Sequence, residues 1–178
     1  MSTIKVLDKE FELYIKQDEI ESVIKDIANQ INEEYKERNP LFLVMLNGAF
    51  MFAAQLFKEL SINCETSFIK YSTYSGTQST CELKEFIGLN SDVKGREVII
   101  VEDIIDSGFT MNCLLQKLEA MEVESVKIAT MLFKPEAFKF NYKIDYIGMN
   151  IGNEFIMGYG LDYNEYGRNY SSIYKVVE

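Results

Sequence analysis

The chain has no histidine and no tryptophan, only three cysteines and two prolines, and its 18 basic side chains are outnumbered by 28 acidic ones. Without histidine, Ser-His-Asp and Cys-His catalysis are excluded, and so is imidazole ligation of a metal. Acid-base chemistry therefore falls to carboxylates, Lys or Tyr. Cys64, Cys81 and Cys113 are odd in number and widely spaced, which suits neither a disulfide framework nor a zinc site and predicts ordinary thiols. The formal charge of −10 argues against a protein that grips a nucleic-acid backbone by counterion release. An anionic small molecule remains admissible, provided that backbone amides, a helix N-terminus, a few placed cations or a bound metal hold it locally.

Long hydrophobic runs are missing as well. The longest apolar stretch, Leu41 to Phe57, is broken by Asn47, Gly48 and Gln55 and falls short of the roughly 20 residues that a membrane span needs. The first residues, MSTIKVLDKEFELYI, lack the basic start, apolar centre and small-residue cleavage site of a signal peptide. The expectation is a soluble, cytoplasmic protein with no membrane partner. What is present is ample core material, 47% apolar and 13% aromatic in 178 residues, so intrinsic disorder is excluded. No linker, low-complexity tract or repeat divides the chain, and one domain over residues 1–178 is expected.

FELYI (11–15) reads as a strand, and Ile20, Val23, Ile24, Ile27, Ile31 and Tyr35 recur at helical spacing up to Asn39-Pro40. LFLVML (41–46) is the continuous apolar run of a buried parallel strand. A helix-like segment follows from Gly48 to about Leu60, then a strand at TSFIKYS (66–72) and a polar, small-residue loop, STYSGTQSTCE (72–82). VIIVEDI (98–104) is a second buried strand, followed by a turn and a helix from about Thr110 to Met121. SVKIATMLF (125–133), DYIGMN (145–150) and FIMGYG (155–160) are three further strand candidates. Alternating strands and helices predict an α/β domain with a mainly parallel sheet.

The most informative stretch is VIIVEDIIDSGFTM (98–111), an apolar strand running into three carboxylates, a Ser-Gly turn and a Thr at a helix start. Sheets of this class bind ligands beyond the carboxyl ends of their strands. Ser107, Gly108 and Thr110 allow successive N–H groups to wrap a phosphate, although a Ser or Thr there serves equally as a plain N-cap. The cap leaves Glu102 and Asp103 unexplained, since carboxylates at the end of an apolar strand need partners. Vicinal hydroxyls or a divalent cation would supply them.

VEDIIDSGFT (101–110) resembles the phosphoribosyl pyrophosphate signature of the hypoxanthine-guanine phosphoribosyltransferase family. LNGAFMF (46–52) resembles that family's pyrophosphate loop, STYSGTQST (72–80) its mobile catalytic loop and LFKPEA (132–137) its purine-contacting lysine segment. NEFIMGYGLDYNEYGRN (153–169) resembles its base-stacking and metal-binding tail. The resemblance implies a type I phosphoribosyltransferase fold, with a mainly parallel central sheet flanked by helices and a small hood formed by the terminal segments. It implies transfer of the phosphoribosyl group from phosphoribosyl pyrophosphate to N9 of hypoxanthine or guanine, with Mg²⁺, in a homodimer or homotetramer.

The same resemblance implies the roles. Glu102 and Asp103 lie by the ribose hydroxyls or the metal, and Asp106, Ser107, Gly108, Phe109 and Thr110 take the 5-phosphate, with Asp106 also acting as base or acid at purine N7. Lys134 donates to O6, Phe155 stacks on the purine and the Ile156 backbone reads the opposite edge. Asp162 stands on the metal side, and Asn47, Gly48 and Arg168 meet pyrophosphate. A non-proline cis peptide is expected between Leu46 and Asn47, and Thr73, Tyr74, Ser79 and Thr80 are expected to close over the reaction. Asn47 stands where many relatives carry Lys, and Phe109 at a position that varies. Two other classes fit the residues less well. A nucleotide-sensing regulator on the same fold is opposed by the retained Asp106, Lys134, Asp162 and Arg168, and a dinucleotide-binding domain by the absence of a GxGxxG after any predicted strand.

Overall fold

Two short segments with no polar side chain, LFLVM and VIIV, fix the centre of the molecule in the computed structural model, which describes residues 3–73, 83–89 and 92–177. The chain runs β1 (Thr3–Val6), β2 (Lys9–Ile15), α1 (Gln17–Glu34), β3 (Leu41–Met45), α2 (Phe50–Glu59), β4 (Glu65–Thr73) and β5 (Leu83–Ile87). It continues through β6 (Glu97–Ile105), α3 (Phe109–Ala120), β7 (Ser125–Phe133), β8 (Tyr146–Asn150), β9 (Ile156–Met157) and β10 (Ile173–Val176).

The main sheet has the order β5-β4-β3-β6-β7-β8, parallel throughout except for β5, which runs antiparallel to β4. Alternate residues of its central strands feed two different cores. Phe42, Val44, Ile99 and Val101 pack with α1 and α2 on one face. Leu41, Leu43, Val98 and Ile100 pack with α3 on the other. Burial on both faces is why these strands read as unbroken apolar runs rather than alternating ones. On α1 the stripe Ile20, Ile24, Ile27 and Ile31 is fully buried, and the Lys16 N–H donates to Glu19 Oε2 at 2.9 Å to close the helix start.

The terminal segments form a second sheet, antiparallel, in the order β1-β2-β10-β9. This is the hood that the family resemblance implied. Its Ile15, Ile156 and Ile173 enter the α1/α2 core, while Val6, Phe11 and Met157 make a small core of their own. The expected strand at 155–160 shrinks to Ile156–Met157, because Gly158, Tyr159 and Gly160 all have positive φ and turn the chain instead. One composition-based expectation is corrected. Cys64 is a free thiol, but Cys113 is disulfide-bonded, since sequence spacing carries no information on which side chains meet in space.

Candidate functional site

Parallel pairing lines up the carboxyl ends of β3, β4, β6 and β7 on one edge of the sheet. The segments that leave those ends therefore converge, as open α/β sheets require of a ligand site. A cleft of about 240 Å³ lies there, lined by Leu46 and Gly48 after β3, Tyr71 of β4, and residues 102 to 111 at the end of β6 and the start of α3.

The peptide between Leu46 and Asn47 is cis, in agreement with the expectation for the pyrophosphate loop. Gly48 follows it in van der Waals proximity to Asp103: a Cβ at this position would stand 1.7 Å from Asp103 Oδ2. On the tail, Gly160 comes as close to Gly48, and a Cβ there would meet the Gly48 carbonyl oxygen at 2.0 Å. Arg168 donates to the Gly160 carbonyl at 2.9 Å and pairs with Asp162 at 2.7 Å. Asp162 also accepts the Glu165 N–H at 2.8 Å. A continuous chain of contacts thus runs from the tail through the loop after β3 to the carboxylates of β6.

Those carboxylates are in an unusual state. Asp103 is buried and Glu102 Oε2 is buried with no hydrogen-bond partner. Burial, reinforced by the neighbouring Asp103 charge, pushes the Glu102 carboxyl well above the usual range. Burial likewise raises Asp103 to about 6, against the opposing pull of backbone N–H groups and of Arg168. A pair of desolvated oxygen ligands with an orphaned acceptor is the chemistry of a hard cation or of sugar hydroxyls. Among the described residues no group of three or more potential metal ligands is found, so a cation here would depend on substrate oxygens to complete its shell.

Beyond them the chain turns. Gly108 adopts φ 82°, caps α3 in the left-handed conformation and leaves the helix without a side-chain N-cap. The plain-cap alternative for Ser107 and Thr110 is thereby set aside. Ser107 Oγ accepts only a long bond from the Phe109 N–H at 3.4 Å, and Ser107 to Met111, which include the start of α3, line the cleft, where the positive end of a helix favours an anion. Asp106 is 58% exposed at its side chain and lies 3.6 Å from Lys134 Nζ.

Lys134 is buried, contrary to the common fate of a surface lysine, and also donates to the Glu154 carbonyl at 3.1 Å. Phe155 is the opposite case, an aromatic left 45% exposed although Phe11 and Tyr163 pack against its ring. The Ile156 side chain is buried and its backbone pairs with β10. Lys134 reaches Asp106 and the Glu154 carbonyl, next to Phe155 in the chain, and Lys134, Phe155 and Ile156 do not line the 240 Å³ cleft. Thr73 ends β4, while Tyr74, Ser79 and Thr80 lie outside the described residues.

Sequence reasoning missed several neighbours. Ile104 lines the cleft between the two carboxylates and Asp106, and its place inside an apolar strand disguised it. Tyr163 meets Phe155 edge-on at 5.7 Å and donates to Asp8 at 2.8 Å, and the Lys9 ammonium stands 5.5 Å from the Phe155 ring. Only the proximity of the hairpin turn to the tail, about 150 residues away in sequence, brings these groups together.

Comparison with known proteins agrees with this geometry. The phosphoribosyl transferase domain model matches residues 14–164. The chain is 42% identical over 167 residues to the hypoxanthine-guanine phosphoribosyltransferase of Lactococcus lactis, covering 93% of this chain and 91% of that one. It is 40% identical over 156 residues to the bifunctional protein TilS/HprT of Listeria monocytogenes, covering 87% of this chain but spanning only 24% of the longer relative. The crystal structure of a Bacillus anthracis hypoxanthine-guanine phosphoribosyltransferase with a HEPES molecule in its active site superposes with a TM-score of 0.89 at 33% identity, over 93% of this chain and 98% of that one.

Proposed function

The chain belongs to the phosphoribosyl transferase family, and from that membership we propose that it is a purine-salvage enzyme. It moves the 5-phosphoribosyl group of phosphoribosyl pyrophosphate to N9 of hypoxanthine or guanine. The observation that supports this is that Asp106, which lines the cleft together with the Gly108 turn, lies 3.6 Å from the buried Lys134 ammonium.

In the reaction the bond from C1′ to the pyrophosphate oxygen breaks, the N9–C1′ bond forms, and the imidazole proton of the purine is released. Asp106 takes that proton at N7 and, as a carboxylate, stabilises the positive charge that builds on the sugar. The turn from Ser107 to Thr110 holds the 5-phosphate with peptide N–H groups. Glu102 and Asp103 accept from the ribose hydroxyls. Glu102, Asp103 and Asp162 are the oxygen donors that would hold Mg²⁺, which when bound supplies the charge neutralisation that makes pyrophosphate a better leaving group. Arg168 and the amides after the cis peptide receive the pyrophosphate.

Lys134 selects the base. An O6 acceptor satisfies its ammonium, whereas the 6-amino group of adenine would oppose donor to donor. Phe155 offers its exposed face for stacking. The protein works in the cytoplasm as a homodimer or homotetramer, with α2 as the contact surface; Phe50, at its start, is 42% exposed. Nothing in the site favours an inactive regulator, since the groups that the chemistry uses are all present. The test is product analysis with phosphoribosyl pyrophosphate, Mg²⁺ and each of hypoxanthine, guanine, xanthine and adenine. Nucleotide and pyrophosphate should form in equal amounts from 6-oxopurines and not from adenine. Failure with every base would refute the proposal.

A further inference from the structure

The segment after β7, residues 134 to 144, crosses back over the phosphate turn and touches it twice. The Lys139 N–H donates to the Ser107 carbonyl at 3.1 Å. The Tyr142 hydroxyl donates to the Gly108 carbonyl at 2.9 Å. Phe138 and Tyr142 meet edge to face at 5.0 Å, and Phe138 leans on Phe133 at the end of β7 at 5.2 Å. Both side chains crowd Gly108: a Cβ there would meet Phe138 Cε2 at 2.5 Å and the Tyr142 hydroxyl at 2.7 Å.

The consequence follows from peptide geometry. In a planar trans peptide the carbonyl and the next N–H point in opposite directions. Gly108, at φ 82°, is the residue of this turn with the widest choice of backbone conformations, so the plane of its peptide is the one most in need of an external restraint. A carbonyl rotated into the cradle would set an oxygen against the anion and withdraw the Phe109 N–H from it. The Gly108 carbonyl already accepts the first helical bond, from the Asn112 N–H at 3.0 Å. The phenol adds a second donor from a different element, and the Lys139 N–H holds the preceding carbonyl in the same way.

We propose that Tyr142 is a positioning residue for the 5-phosphate: its hydroxyl fixes the Gly108 carbonyl away from the cleft and so aims the N–H groups of the turn at the anion. Burial raises the phenol above its ordinary range, so it remains a donor at every pH at which the enzyme works. The strap that carries Tyr142 begins at Lys134, and this gives the purine and phosphate subsites one shared support. The inference rests on the transferase function proposed above.

The test compares the parent with Tyr142→Phe, which keeps the ring packing and removes only the hydroxyl, and with Phe140→Leu, which alters packing and keeps the hydroxyl. Loss of one neutral hydrogen bond that acts through the turn is expected to raise the KM for phosphoribosyl pyrophosphate about tenfold. The KM for hypoxanthine at saturating co-substrate should stay within about twofold, and Phe140→Leu should resemble the parent. Calorimetric binding of ribose 5-phosphate, which needs no turnover, should weaken by a similar factor in Tyr142→Phe alone. An inactive parent that still binds ribose 5-phosphate, with the Tyr142→Phe loss intact, would refute the transferase and support the positioning role. Equal ribose 5-phosphate binding by parent and Tyr142→Phe, or a Tyr142→Phe protein that does not fold, would overturn the proposal.

Discussion

Gly48 has no side chain because Asp103 occupies the space where one would begin. With only 1.7 Å available between a Cβ and Asp103 Oδ2, Gly48→Ala must displace either the carboxylate or the loop after β3. Misplacement of reacting groups by about 1 Å costs roughly a hundredfold in rate, so kcat/KM should fall by about that factor while the circular dichroism spectrum stays that of the parent. The buried carboxylates carry a second consequence. Glu102 and Asp103 bind protons more tightly in the folded chain than in the unfolded one, Asp103 at about 6 against an ordinary 3.8. The folded state therefore holds more protons between those values, and stability falls as pH rises through that window. In metal-free buffer the gain in unfolding free energy of Asp103→Asn over the parent, read from denaturant melts, should grow from pH 4 to pH 7 toward about 3 kcal/mol. A constant difference would contradict the burial of this carboxylate. At this scale the sequence was legible where an atypical residue broke a pattern, as Glu102 and Asp103 do at the end of an apolar strand. Tyr142, Ile104 and Lys9 were not, because their importance lies in a neighbour brought from elsewhere in the chain.

The helix α1 shows what periodicity reveals and what it leaves out. Isoleucines three and four residues apart marked one face, and the structure buries that face against α2, β7 and β8. Ile27→Ala removes a fully buried branched side chain from the middle of this stripe and should cost about 2 to 4 kcal/mol in denaturant unfolding. Since α1 contributes no group to the cleft, kcat/KM below the melting range should be within about twofold of the parent. The buried parallel strands were equally legible, SVKIATMLF coinciding with β7. β1, β5 and β10 were not, for a physical reason: β1 and β5 are edge strands, and β10 lies between β2 and β9 in the small sheet, so each buries only part of its surface, and β10 depends on a partner distant in sequence. The register between β2 and β10 joins Phe11 to Val176, a pairing that no local pattern announces.

Across the whole molecule, the first and last strands join in one antiparallel sheet, and the tail after β9 reaches the Gly48 loop, where Gly160 abuts the Gly48 carbonyl. The hood also packs around the exposed Phe155: the rings of Phe11 and Tyr163 meet it at 6.4 and 5.7 Å, and the Lys9 ammonium stands over it at 5.5 Å. Apolar side chains at the start of α2 and on β4, Phe50 and Phe68, stay exposed in the isolated chain, and sedimentation equilibrium at micromolar concentration should give a dimer or tetramer; a monomer would contradict that part of the account. The central claim is that Lys134, held between Asp106 and the Glu154 carbonyl, makes this a phosphoribosyltransferase for 6-oxopurines. It is tested most directly by kcat/KM for hypoxanthine and for adenine in the parent and in Lys134→Ala. The expected result is a parent that favours hypoxanthine by about a thousandfold or more, as mispaired buried donors enforce, and a variant that loses most of that preference by losing hypoxanthine turnover. Comparable turnover of adenine by the parent, or a preference untouched by the substitution, would contradict it.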